Sequence, residues 1–364
     1  MEKKLAICCD QLVERDLSTS IVETFAEIYP DADIYTFAHN KNNILGITQC
    51  RKVYSSFLSH WVKNLKSFKR WSFLIPKMGD KFFIPRQYEW VICVTNGLSH
   101  AINLEDPQRT KILLYLVGED LLNLSPQPNF NLLPWKGFLF KKYLQEFSLK
   151  NYLREQIRGV LGSSEWVLTV FKEKIQSAEM NYLSLYPVFH LEEFPFVKEF
   201  PDASNIYWVG NGDNLSLKEK QQLETIFKNN SKQLVWMDKE KCAGDLFQLV
   251  KNAQGILNFG VQIYPYLSLV AISTGLKLVV RNHPLNIEFF SKMEPLQQEN
   301  INSLKSESDI DFCDTIEEVV QSINKVDFWR KSDSNYRRPI YSFHEGMFRN
   351  RLKKFISTLE NFNF

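Results

Sequence analysis

Short, unbroken apolar runs alternate with helical patterns along this chain, and that alternation limits its fold more than any other feature. KLAICC (4–9) is followed by STSIVETFAEIY (18–29) and then by ADIYTF (32–37). Continuous apolar runs of this length suit strands buried on both faces, which is the condition of a parallel sheet joined by crossover helices. WVICVT (90–95) and KILLYLV (111–117) read as further strands, and WVLTV (166–170) is expected to close a first α/β lobe over residues 1–185. LYPVFHLEEFPFVKEFPD (185–202), with three prolines, suits a crossover better than a helix. A second lobe over 186–340 repeats the plan. Its strands are expected at 205–210, 232–237, 255–259 and 276–280, and its helices at 217–230, 245–253 and 267–274, the last ended by Gly275. The tail at 341–364 carries apolar residues at spacings of three and four, which predicts one amphipathic helix, free to return to the first lobe.

At 364 residues the chain is too long for one ordinary core, and 44% hydrophobic residues allow two. Forty-four basic side chains against 42 acidic ones leave a formal charge of +2, which gives no global reason to expect nucleic acid as a partner. The six cysteines form no CxxC pair and read as reduced thiols, mostly buried. No run approaches the ~20 apolar residues that span a bilayer. The expected location is cytoplasmic, with at most a peripheral contact at the inner membrane face.

Two such lobes, a proline-bearing crossover and a terminal helix resemble the GT-B architecture of nucleotide-sugar glycosyltransferases: two Rossmann-like doubly wound lobes, an interdomain cleft and a C-terminal amphipathic helix. In detail, residues 5–37 with PDADIYTF, 51–78, YEWVICVTN (88–96), 152–175 and LYPVF (185–189) resemble the family 4 glycosyltransferases of bacterial surface polysaccharide synthesis. VGNG (209–212) matches that family's glycine-bearing strand end, and residues 255–280 its donor loop and helix. The departures fall on functional positions. Asp16 and Leu17 stand where the family has a glycine pair, and Val117 where it often has a histidine facing the sugar. Gln262 and Val270 stand at the spacing of its two donor-loop glutamates, and a valine cannot accept a ribose hydroxyl. The strand and loop that would bring a phosphate-binding arginine and lysine before NIYWVGNG read as deleted.

Each candidate residue has two readings. Gly210 and Gly212 could cradle a phosphate through backbone N–H groups, or simply form a strand-to-helix turn. Gln262, Tyr264 and Ser268 could hold a nucleotide or sugar, or be plain loop and helix residues. Arg281 and His283 follow a strand end, where open sheets bind ligands, and could bring positive charge to a diphosphate or form a turn fixed by Pro284. Glu119 and Asp120 occupy the matching edge of the first lobe, where a carboxylate could act as base or favour a helix start. Trp61, Lys63, Lys66, Lys69, Arg70 and Trp71 interleave aromatic and basic groups, as at a membrane or acceptor-facing surface, or as in a helix whose aromatics turn inward. His100 and His190 read as surface or crossover residues, and no metal is expected. A nucleotide sugar would be substrate, with no cofactor. Two functions stay open: a glycosyltransferase that uses a glycan or lipid-linked acceptor, and a catalytically inactive GT-B scaffold that binds a glycan, a nucleotide or a partner glycosyltransferase.

Overall fold

The computed structural model describes residues 5–44, 46–78, 82–118, 146, 150–175, 180–190, 194–195, 207–212, 215–237, 243–260, 266–292, 310–324 and 343–361. The chain divides into two compact units, Met1–Pro187 with Arg349–Phe364, and Val188–Phe348.

The first unit has strands β1 (Leu5–Leu12), β2 (Asp33–His39), β3 (Val53–Ser55), β4 (Phe83–Ile84), β5 (Trp90–Thr95), β6 (Asn103–Leu104), β7 (Lys111–Leu116), β8 (Ile157–Gly162) and β9 (Asn181–Ser184). Seven of them form one sheet in the order β3-β2-β1-β5-β7-β8-β9, every pairing parallel, while β4 and β6 pair apart. Its helices are α1 (Leu17–Ile28), α2 (Leu65–Trp71) and α3 (Glu165–Ile175). The central strands β1, β5 and β7 are buried nearly throughout, which explains why they read as unbroken apolar runs.

The expected strand WVLTV is instead part of α3. Ser164 Oγ accepts from Val167 N at 3.1 Å and caps the helix start, and Val167, Leu168 and Phe171 turn one face inward. The strand that pairs with β7 lies just before it, in IRGVLG of β8. The β-branched residues of WVLTV gave the wrong signal because the helix hides a narrow face.

The second unit has β10 (Tyr207–Gly210), β11 (Gln233–Trp236), β12 (Ala253–Asn258), β13 (Lys277–Arg281) and β14 (Ile310–Cys313), all parallel in the order β11-β10-β12-β13-β14. Its helices are α4 (Leu217–Asn229), α5 (Ala243–Lys251), α6 (Tyr266–Thr274), α7 (Pro284–Lys292) and α8 (Ile316–Asn324). Trp208, Leu223, Phe227, Leu257, Phe259, Val279, Cys313, Val319 and Ile323 form one core cluster. Every residue of α6 after Tyr266 is buried, and the helix ends at Gly275 with φ at 76°.

The last helix, α9 (Glu345–Asn361), brings Phe355 and Leu359 over Gly159 of β8. A Cβ at Gly159 would meet both side chains at 2.9 Å, so the strand and helix approach more closely than any other residue would allow. The tail therefore packs on the first unit.

Candidate functional site

Topology locates the ligand-binding edge of each unit. In an open parallel sheet, ligands bind beyond the carboxyl ends of the strands where the strand order reverses. In the second unit that point lies between β10 and β12, because β10 runs to β11 on one side and the chain then crosses to β12 on the other. The residues at these strand ends are Gly210, Asn211 and Gly212 on one side, and Asn258 and Phe259 on the other.

Asn211 Nδ2 donates to Asn258 Oδ1 at 3.3 Å, and Asn258 Nδ2 donates to Ser268 Oγ at 2.8 Å. All three side chains are buried. Ser268 thus orients Asn258 from α6 instead of facing a ligand directly. Gly210 has a packing reason: a Cβ there would meet the Trp236 ring at 2.8 Å. Gly212 lies under Lys220, whose Nζ stands 2.8 Å from the place a Cβ would take.

Two cations flank this point. Arg281 ends β13, its guanidinium 5.2 Å from the Phe259 ring centroid and 3.8 Å from Glu219. Lys220 lies in the first turn of α4, directly after the β10 loop. Glu219 also closes the Ser216 capping box, accepting from Ser216 N at 2.7 Å, and those Ser216 contacts followed by Arg281 hold its carboxyl below the usual range. Lys220 and Glu219 were not singled out in the sequence, where LKEKQQLETIF reads as an ordinary solvated helix face.

The surroundings of His283 favour its neutral form. Its Nδ1 accepts from Leu285 N at 3.3 Å at the start of α7, and burial, with Arg281 nearby, pushes its pKa below the usual value. Val270, at the second glutamate position, is fully buried within α6. Gln262, Tyr264, Glu119 and Asp120 lie outside the described residues, as does the stretch 196–206 where the phosphate-binding unit reads as deleted.

In the first unit the order reverses between β1 and β5. Asp10 fills that place, buried, accepting from Asn96 N at 2.8 Å and Ser99 N at 2.5 Å. Burial outweighs these donors and raises its pKa to about 6. His100, expected at the surface, is fully buried, stacked on Tyr152 with centroids 3.7 Å apart and its Nδ1 3.2 Å from Thr95 Oγ1. Asp16, in place of the family's glycine, is the N-cap of α1 and accepts from Thr19 N, Ser18 Oγ and Gln11 Nε2. Leu17 begins that helix, and Val117 is buried after β7.

The basic and aromatic segment follows the edge strand β3. Phe68 of α2 turns inward, whereas Trp61 is exposed, Trp71 is half-buried and Lys63, Lys66, Lys69 and Arg70 are exposed. Among the described residues no group of His, Cys, Asp and Glu could hold a metal ion, and no helix is long and apolar enough to cross a membrane. Cys8, Cys9, Cys93 and Cys313 are free and buried, and Cys50 is free and exposed.

No protein-family model and no curated protein matches the chain. Solved structures do. The lipopolysaccharide outer core galactosyltransferase WaaB, in its apo form, aligns with a TM-score of 0.57 at 12% identity, covering 98% of this chain and 99% of that one. Alr3699/HepE of Anabaena, solved with UDP-glucose, aligns with a TM-score of 0.55 at 12% identity, covering 97% and 99%. A glycosyltransferase of Rickettsia africae ESF-5 gives 0.54 at 12% identity over the whole of both chains. The chain has the GT-B fold. At this identity the likeness extends to the fold alone, so activity must be argued from the site.

Proposed function

We propose that the protein is a glycosyltransferase that moves a sugar from a nucleotide-sugar donor to a glycan or lipid-linked acceptor, in surface polysaccharide synthesis on the cytoplasmic side of a membrane. The observation that carries this reading is the pair of cations, Arg281 and Lys220, on either side of the Asn211–Asn258 pair at the second sheet's reversal point. A departing nucleoside diphosphate develops negative charge there, and fixed cations at a strand edge stabilise it without reorganising. The pair would stand in for the arginine and lysine that the family brings on the missing unit. Glu119 or Asp120, just after β7, would take the proton of the acceptor hydroxyl. Gln262 and Tyr264, between β12 and α6, would face the donor. A structure of HepE with UDP-glucose supports this class of donor.

A second reading, the inactive scaffold, is favoured by the buried Val270 and by polar side chains that satisfy one another at the donor edge. Release of nucleoside diphosphate from a panel of nucleotide sugars decides between them. The transferase reading expects slow release from one donor, reduced at least roughly tenfold in Arg281→Ala. Binding of a nucleotide sugar with no release would assign the scaffold instead.

A further inference from the structure

Residues 51–78 contain seven Lys or Arg and not one Asp or Glu, within a chain whose charges nearly cancel overall. Arg51 is used internally, donating to Ala26 O at 3.1 Å. The other six, Lys52, Lys63, Lys66, Lys69, Arg70 and Lys77, are exposed, and none is ion-paired among the described residues. Beside them runs a ladder of rings: Phe57 meets Trp61 at 5.5 Å, Trp61 meets Trp71 at 5.3 Å and Trp71 meets Phe73 at 6.1 Å between centroids. Trp61 is 52% exposed, Phe57 44% and Phe73 37%.

This segment is rigidly seated. Leu58, Val62, Phe68, Ile75 and Met78 are buried beneath it. Glu14, in the loop after β1, accepts from Leu65 N at 2.9 Å at the start of α2, and His39 N at the end of β2 donates to Ser59 Oγ at 3.0 Å. The ladder therefore stands at the carboxyl edge of the first sheet, with its inward positions already filled. Exposed Trp and Phe rings carry a large apolar area that water solvates poorly, and six unpaired cations around them demand an anionic counterpart.

We propose that this face docks on an anionic lipid bilayer, the Phe57, Trp61 and Phe73 rings entering the interface and Lys63, Lys66, Lys69 and Arg70 meeting the headgroups. Aromatic side chains favour that boundary, and each basic side chain near a negative surface adds attraction that salt screens. A bilayer held here would present a lipid-borne molecule beside the binding edge of the first unit. Membrane binding and sugar transfer can fail independently, so the two readings are separable.

The test is co-flotation of the full chain with vesicles of phosphatidylcholine alone or in equal mixture with phosphatidylglycerol, at low and high salt. Binding to the anionic vesicles only, weakened by salt, is expected. A Lys63→Glu, Lys66→Glu, Lys69→Glu variant should lose more than about tenfold in partitioning, with an unchanged melting temperature. A blue shift of tryptophan emission on binding should shrink in Trp61→Phe, which keeps the ring ladder. Equal binding to both vesicles, no binding at all, or retention by single-stranded RNA in preference to anionic vesicles would each overturn the proposal.

Discussion

Asp10, near the end of β1, accepts two backbone N–H groups from the turn after β5 and so ties the first sheet together at its reversal point. Its pKa of about 6 exceeds that of an unfolded aspartate, so the native state holds this proton the more tightly. The resulting stabilisation is full below the ordinary carboxylate range and is lost as pH rises through 6, a cost of about 3 kcal/mol at neutral pH. Carboxyl-carbon NMR should give Asp10 a midpoint near 6. A midpoint in the ordinary range would show that the carboxylate is solvated. Val270→Glu tests the donor edge in the same spirit. The resemblance implies an acid there, but the site is fully buried, so the variant should lose roughly 3 kcal/mol or more and gain no nucleotide affinity. Calorimetry and chemical denaturation read both. The surroundings of Asp10 and His100 were not legible in the sequence. Asp10 directly follows the apolar run KLAICC, with nothing in the sequence to show its partners at Asn96 and Ser99, and the role of His100 depends on Tyr152, which is 52 positions away and meets it only in the fold.

At the level of elements, strands buried on both faces announced themselves, because burial of both faces leaves few polar residues in the run, Asp10 and Gln11 at the end of β1 being exceptions. WVLTV of α3 was read as a strand because its β-branched residues outweighed the inward face formed by Val167, Leu168 and Phe171. The capping box at α4 is a local contact that the sequence reading did not single out: Ser216 and Glu219 sit three apart and bond reciprocally. Ser216→Ala should lower stability by about 1 kcal/mol and loosen Glu219, measured by denaturant unfolding. Lys220, one residue on, gave no comparable signal, since its importance comes from Gly212 of the preceding loop.

Over the whole molecule, the division into α/β units followed from the order of apolar runs, and the periodicity of the tail predicted α9. Where that helix packs is a tertiary fact, written only in the fit of Phe355 and Leu359 over Gly159. Gly159→Leu should therefore push α9 off β8 and lower the melting temperature, with limited proteolysis then cutting within 349–361. That Gln262 and Val270 stand at the spacing where the resemblance implies glutamates was legible. The placement of Arg281 and Lys220 at that edge was not, because each is brought there only by the strand order β10-β12-β13.

The most direct test of a nucleotide-sugar site at that edge is thermal stabilisation of the full chain by a panel of nucleoside diphosphates and nucleotide sugars. A donor present at 100 times its dissociation constant should add roughly 2.7 kcal/mol, and Arg281→Ala should reduce the shift. No shift with any nucleotide, or an equal shift in Arg281→Ala, would contradict the account.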